Sequence, residues 1–331
     1  MSDAGQHPTG PARTKLLYIS SVGRSGTTLL SKILGQVPNV CDVGELWALW
    51  RPAFATGTCG CGLAVRECPF WLSVVKSALG EGYEEEGPAV GRLHRDHLGT
   101  RRVPRVWLHT SGLHRDPAYD AYGTALGRHY AAIAEVSGAR VIVDCSCMPG
   151  DAIVASTLPG VDLYVLHLVR DPRGVAYSWS KDLDLTGNMG AHGQVHTAQA
   201  AATRWLLNNA YVSALVRPHV GDRFAVLRYE DLVADPRAVL EGLVEWVGEG
   251  GAALPMGERP DEVVLASTHS VFGNRIRLRT GPLQLRLDEE WRRAMSRRDQ
   301  AVVSALSLPY LGRFGYPVNP SGPRRVRPRG R

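Results

Sequence analysis

Ser20-Ser21-Val22-Gly23-Arg24-Ser25-Gly26-Thr27-Thr28-Leu29-Leu30 follows the apolar run Leu16-Leu17-Tyr18-Ile19 and leads on to Ile33 and Leu34. An apolar run, a glycine-serine turn and a renewed apolar period predict strand, tight turn and helix. Gly23 and Gly26 let the backbone aim several N–H groups, with the positive end of the following helix, at one anion. Arg24 adds a permanent charge, and Thr27 and Thr28 place hydroxyls in the first helical turn. A phosphate ester is the expected ligand. The loop departs from the nucleoside-triphosphate pattern G-x-x-x-x-G-K-[ST], because Ser21 and Thr27 stand where a glycine and a lysine are required, and the chain has no G-x-G-x-x-G. A triphosphate with its magnesium is therefore not expected.

Working outward, Val141-Ile142-Val143-Asp144, Leu163 to Val169 and Phe224-Ala225-Val226-Leu227 are continuous apolar runs of strand length, with room for helices between them. Strand-helix alternation after a glycine loop predicts an α/β fold with a doubly wound, mostly parallel central sheet flanked by helices. Ligands then gather at the carboxyl ends of the strands, where Ser20 to Thr28, Asp144 to Pro149 and Arg170 to Ser178 all fall. A short extended piece, Val40-Cys41-Asp42-Val43, ends at Gly44-Glu45, and a helix is expected to begin there. Residues 46–130 mix glycine, proline, histidine and tryptophan and read as an irregular helical insertion that contacts substrate, with helices over 69–79 and 118–136. Gly87-Pro88 and Arg102 to Arg105 are its expected flexible joints. A long helix is predicted from about Thr197 to Val216. Trp47, Trp50, Trp71 and Trp107 are read mostly as core, with an aromatic pocket as the alternative.

At 331 residues, 44% hydrophobic and 21% charged, the chain has the composition of a soluble globular protein. One domain is expected over 14–318, between an N-terminal tail at 1–13 and a basic tail at 319–331. The first residues have no signal-peptide pattern, and aspartates interrupt the longest apolar region, so no membrane span is predicted and a cytoplasmic location is expected. Of the formal charge of +6, five units lie on Arg324, Arg325, Arg327, Arg329 and Arg331. The basic character belongs to that tail, and no nucleic-acid partner is expected. Oligomeric state leaves no mark. Cys59, Cys61 and Cys68 are open to three readings: a disulfide, a zinc site completed by Cys41, or reduced thiols packing a loop, the last being favoured in the absence of an export signal. His192 and His196 have a zinc-protease spacing but lack its glutamate.

In His167-Leu168-Val169-Arg170-Asp171-Pro172-Arg173-Gly174-Val175-Ala176-Tyr177-Ser178 a strand passes through a proline at the helix start, so Arg170 and Ser178 can converge on one anion. Carboxylate pairing within the fold is the alternative for Arg170 and Arg173. Taken together, Gly23 to Thr28 and Arg170 to Ser178 closely resemble the two nucleotide motifs of the sulfotransferase family, in the same order and each after a strand. The resemblance continues through Arg228-Tyr229-Glu230-Asp231-Leu232, Gly273-Asn274-Arg275 and Asp288-Glu289-Glu290-Trp291, over roughly residues 15–317. It is nearest to the bacterial branch that shares features with tyrosylprotein and carbohydrate sulfotransferases.

The resemblance implies a P-loop-like fold and 3′-phosphoadenosine 5′-phosphosulfate (PAPS) as sulfuryl donor, with adenosine 3′,5′-bisphosphate (PAP) as product. Its implied donor-binding residues are Gly23, Arg24, Ser25, Gly26, Thr27 and Thr28 at the 5′ group, and Arg170 and Ser178 at the 3′-phosphate. It also places Tyr229 near the adenine, a core role being the alternative, and Arg277 or Arg279 near the 3′-phosphate. The acceptor is a hydroxyl on a small molecule, sugar or peptide, and no metal is expected. Arg24 and Glu45 are the catalytic candidates. Glu45 follows Arg24 by 21 residues, the spacing of the catalytic glutamate in the tyrosylprotein branch, although a capping or ion-pair role is open to it. Cys147 stands where relatives carry a lysine thought to stabilise transferring charge. A P-loop kinase or hydrolase, and a non-catalytic nucleotide binder, are the competing functions.

Overall fold

The computed structural model of the chain describes residues 13–181 and 197–318. The tail at 1–12, the histidine pair at 192 and 196, most of the expected 182–198 loop and the tail at 319–331 lie outside the described residues. Five strands, β1 (Thr14–Ser20), β2 (Val40–Gly44), β3 (Val141–Cys147), β4 (Val161–Val169) and β5 (Phe224–Arg228), form one sheet in the order β2-β3-β1-β4-β5. Every pairing in it is parallel. A separate antiparallel pair, β6 (Glu262–Leu265) with β7 (Gly281–Gln284), lies late in the chain.

Alternation along β1 sends its side chains to two cores. Leu16 and Tyr18 join a cluster with Ile142, Val165 and the apolar faces of helices Pro69–Leu79 and Pro117–Ser137. Leu17 and Ile19 join the opposite cluster with Val141, Val143 and with Leu30, Ile33 and Leu34 of α1 (Thr27–Leu34). Burial on both faces is why these strands read as unbroken apolar runs, and each such leucine or isoleucine contributes about 1.5–3 kcal/mol. The mostly parallel, helix-flanked sheet and the helices expected at 69–79 and 118–136 are all present. The long helix begins at Ala198.

Both expected joints in the 46–130 region are corrected. Gly87 and Pro88 lie inside helix Tyr83–His97, and a Cβ on Gly87 would stand 2.2 Å from the Trp50 ring. Gly91, one turn on, meets the Trp50 carbonyl as closely, at 2.1 Å. These glycines are close-packing positions, and the glycine-proline pair carries no break. Arg102 to Arg105 also lie in helical turns, because Pro104 sits at the start of helix Val103–Thr110, where a missing N–H costs nothing, and Val103 and Val106 are buried.

Candidate active site

Register brings the carboxyl ends of the strands to one edge. Ser20 at the end of β1 pairs with Cys147 of β3 on one side and His167 of β4 on the other. Gly44 of β2 pairs with Asp144, and Val169 of β4 with Arg228. The residues leaving that edge are therefore Ser21 to Thr28, Glu45, Cys147, Arg170 and Tyr229.

The glycine loop is built for close approach. Arg24 and Gly26 have positive φ of 75° and 92°, and Gly26 is the N-cap of α1, whose first turn no side chain caps. A Cβ at Gly26 would lie 2.6 Å from the Tyr229 ring, so the Tyr229 face closes one wall of the loop. Ser25 Oγ is fully buried without a hydrogen-bond partner among the described residues. Arg24 Nε donates to Ser178 Oγ at 3.1 Å, and Arg170 Nη1 donates to the Arg24 carbonyl at 2.9 Å. The two motifs thus form one surface. Arg170 also stacks over Tyr229 at 4.8 Å and pairs with Asp288 at 3.2 Å. Partial burial works to raise the Asp288 carboxyl, but the Glu290 backbone N–H and then the Arg170 charge hold it below its usual range. Arg173, by contrast, is fully buried, forks onto Asp171 at 2.7 and 2.8 Å and packs over Trp291, so it belongs to the scaffold. Asp171 Oδ1 also accepts the Arg173 backbone N–H at 2.9 Å.

Glu45 is 5% exposed and accepts from Trp47 Nε1 at 3.0 Å. It makes no side-chain cap to the helical turn it precedes, so the capping alternative does not describe its contacts. Gly273 approaches so closely that a Cβ there would be 2.8 Å from Thr28 Oγ1 and 3.2 Å from Glu45 Oε1. Asn274 N–H donates to Thr28 Oγ1 at 3.3 Å. Arg277 lies on this Glu45 side of the loop, donating to the Gly273 and Thr58 carbonyls at 3.1 Å each, while Arg279 is exposed.

Cys147 is buried at φ 67°, its Sγ 3.0 Å from the Cys145 carbonyl and 3.5 Å from Thr27 Oγ1. Burial, with Glu45 nearby, pushes its thiol well above the ordinary value, so it stays protonated and poorly nucleophilic. Sequence reasoning missed Arg204, on helix Ala198–Tyr211, whose charge acts on both Cys147 and Glu45 and whose guanidinium lies 5.6 Å over the Trp179 ring. Desolvation lowers its pKa somewhat, yet an arginine stays charged. No motif surrounds it. Only the packing of a distant helix brings it to the β3 end.

Of the other acids and bases near the edge, Asp42 is fully engaged by Ser31, Thr268 and the Gly44 amide. Asp144 accepts from Ser146 and from Tyr130 at 2.8 Å, and burial raises it to about 7. His167 is buried against Asn209 at 2.7 Å and pushed down to about 4 by desolvation. Trp47 and Trp71 are buried in the core, and Trp50 packs against it; the cleft between Trp47, Trp50, Val90, His94, Tyr122 and His129 has room for little more than a water molecule.

Residues 152–250 match the model described as the sulfotransferase family. That segment contains Arg170, Ser178, Arg204 and Tyr229 but ends short of Gly273 and starts after the glycine loop. Among solved structures, the sulfotransferase domain of the Synechococcus PCC 7002 olefin synthase is 19% identical, with a TM-score of 0.51 over 93% of this chain and 98% of that one. A sulfotransferase from Alicyclobacillus acidocaldarius is 15% identical, with a TM-score of 0.41 over 90% and 93% of the two chains. No curated protein matches. The matched segment carries the second of the two motifs, Arg170 to Ser178, in keeping with the resemblance read from the sequence, and the fold is the P-loop-like α/β fold of sulfotransferases.

Proposed function

We propose that the protein transfers a sulfuryl group from PAPS to a hydroxyl acceptor by direct in-line displacement. The observation that carries this reading is the convergence of Arg24, Ser178 and Arg170 across two motifs 146 to 154 residues apart in sequence. Two phosphate sites held this close suit a nucleotide with a phosphate on each side of one ribose. The residues also suit a 5′-phosphosulfate: an uncapped helix start, the buried Ser25 hydroxyl with no hydrogen-bond partner among the described residues, and the hydroxyls of Thr27 and Thr28 supply neutral donors to one anion. Asp288 pairs with the Arg170 guanidinium that in this reading takes the 3′-phosphate.

In this reading Glu45 takes the proton of the acceptor hydroxyl as that oxygen bonds to sulfur. The bond from sulfur to the bridging oxygen of the nucleotide breaks, and its electron pair stays on that oxygen. Arg24 and the loop amides meet the charge that develops there. Arg204 supplies the positive charge near Cys147 that a lysine at 147 would otherwise bring. The reaction needs no metal and no covalent intermediate, in keeping with the protonated Cys147. Calorimetry with PAP in chelator, followed by transfer of labelled sulfate from PAPS to a hydroxyl panel, tests the proposal. Tight PAP binding with transfer supports it, and absence of PAP binding defeats it.

A further inference from the structure

Three cysteines and a histidine meet away from the proposed donor and acceptor sites. Cys59, Cys61 and Cys68 come from one loop and His269 from a segment some 200 residues later, and one ligand atom of each lies within 4.8 Å of all the others. Cys61 Sγ is 3.7 Å from Cys68 Sγ, and His269 Nδ1 is 3.4 Å from Cys68 Sγ and 3.7 Å from Cys59 Sγ. A tetrahedron with bonds of about 2.3 Å to sulfur and 2.0–2.1 Å to nitrogen spaces its corners about 3.5–3.8 Å apart. The three separations of 3.4–3.7 Å lie close to that figure, and the Cys61–Cys68 one is far from the ~2.05 Å of a disulfide. The fourth corner is His269 and not Cys41, which sits in β2 opposite Ile142.

The surroundings hold this arrangement in place. His269 is fixed from two sides: Phe70 stacks on its ring at 4.4 Å and 10°, and Trp71 Nε1 donates to its carbonyl at 2.7 Å. Gly60 N–H donates to the Ser270 carbonyl at 2.8 Å, and a Cβ on Gly60 would be 2.7 Å from the Thr268 carbonyl, so glycine is what lets the two segments come this close. Thr58 and Ala64 bridge across the base of the cysteine loop.

We propose that Cys59, Cys61, Cys68 and His269 bind one zinc ion in a closed tetrahedral site that clamps the cysteine loop to the segment covering Glu45. Three thiolates and a neutral imidazole leave no open position, which marks a structural rather than a catalytic ion. On binding, three thiol protons pass to solvent and four coordinate bonds form, with no change of oxidation state. Residues 269–277 then run from the metal ligand through Val271, bonded to the Val43 carbonyl at 3.1 Å, to Gly273 against Thr28 and Glu45. The ion therefore steadies the wall of the proposed active site without touching the reaction, and its presence does not depend on which reaction that is.

Elemental analysis of full-length protein purified under reducing conditions tests the site directly. One zinc per chain is expected, released by a mercurial thiol reagent. Cobalt reconstitution should give thiolate-to-metal charge-transfer bands and intense tetrahedral d–d bands. Cys61→Ser and His269→Ala should each lose most of the metal, and Cys41→Ser should keep it. His269→Cys should also retain one metal with a shifted cobalt spectrum, which keeps the test decisive if the other variants fold poorly. Folded, fully reduced protein that takes up no zinc overturns the proposal. So does a Cys61–Cys68 disulfide in protein prepared without oxidant, or full zinc retention in both Cys61→Ser and His269→Ala.

Discussion

Arg24 Nε donates to Ser178 Oγ at 3.1 Å, joining the glycine loop after β1 to the second turn of the helix after β4. In the proposed reading, this contact joins a group assigned to the 5′ end of the nucleotide to one assigned to its 3′-phosphate. In that reading each side chain helps hold the other in place, which lowers the ordering cost of binding.

Arg170→Ala and Ser178→Ala should weaken PAP far more than a nucleotide without the 3′-phosphate. The arginine loss should cost about 1.5–3 kcal/mol, the range of a charged hydrogen bond. Calorimetry with PAP and with adenosine 5′-phosphate measures the contrast, and equal losses for both nucleotides would remove the 3′-phosphate assignment.

Glu45→Gln keeps the shape and the Trp47 contact but removes the basicity. Donor affinity should hold while turnover falls about 10²- to 10⁴-fold. Near-full turnover at saturating donor would eliminate Glu45 as base. Asp42 and His167 would make poor successors, the first being tied to three donors and the second sealed against Asn209.

If Arg204 replaces the charge of the lysine absent at 147, Arg204→Gln should depress turnover at least about 10-fold with little change in PAP affinity, the pattern of a group that acts mainly in the transition state. Adding Cys147→Lys to that variant should restore part of the rate. A steady-state comparison of the three enzymes decides it, and an Arg204→Gln enzyme with unchanged turnover leaves Arg204 a packing residue.

Gly26→Ala should be destabilised and unable to bind donor. The left-handed backbone at φ 92° costs an alanine about 1–2 kcal/mol, and its methyl would meet Tyr229 at 2.6 Å. Urea denaturation with and without PAP checks both halves, and wild-type stability with normal binding would show that the loop yields.

His167 gives the fold an acid limit. Its folded pKa of about 4 lies below the ordinary ~6.5, so the unfolded chain binds the proton more readily in between. The stability it contributes is complete above about pH 6.5 and is lost as pH falls through 4. Melting temperatures of wild type and His167→Gln across that window should converge as pH drops, and parallel curves would show that His167 does not carry the effect.

Local chemistry made much of this molecule legible before any tertiary contact was known. Unbroken apolar runs announce strands covered on both faces, and the paired glycines announce a tight turn between strand and helix, because both depend on residues adjacent in sequence. Arg170 and Ser178 are legible for the same reason, lying within one strand-helix unit. What the chain order could not convey is which distant segments share space. Gly87-Pro88 reads as a hinge, yet it is a contact surface for Trp50, since a missing side chain signals freedom or close approach alike until the neighbour is known. Arg204 sits in an unremarked helix and acquires its place only when that helix packs beside the β3 end. Cys59, Cys61 and Cys68 are visible as a group, but their fourth partner is His269 and not the cysteine nearer in sequence, because the return of the chain past β6 sets that corner of the tetrahedron.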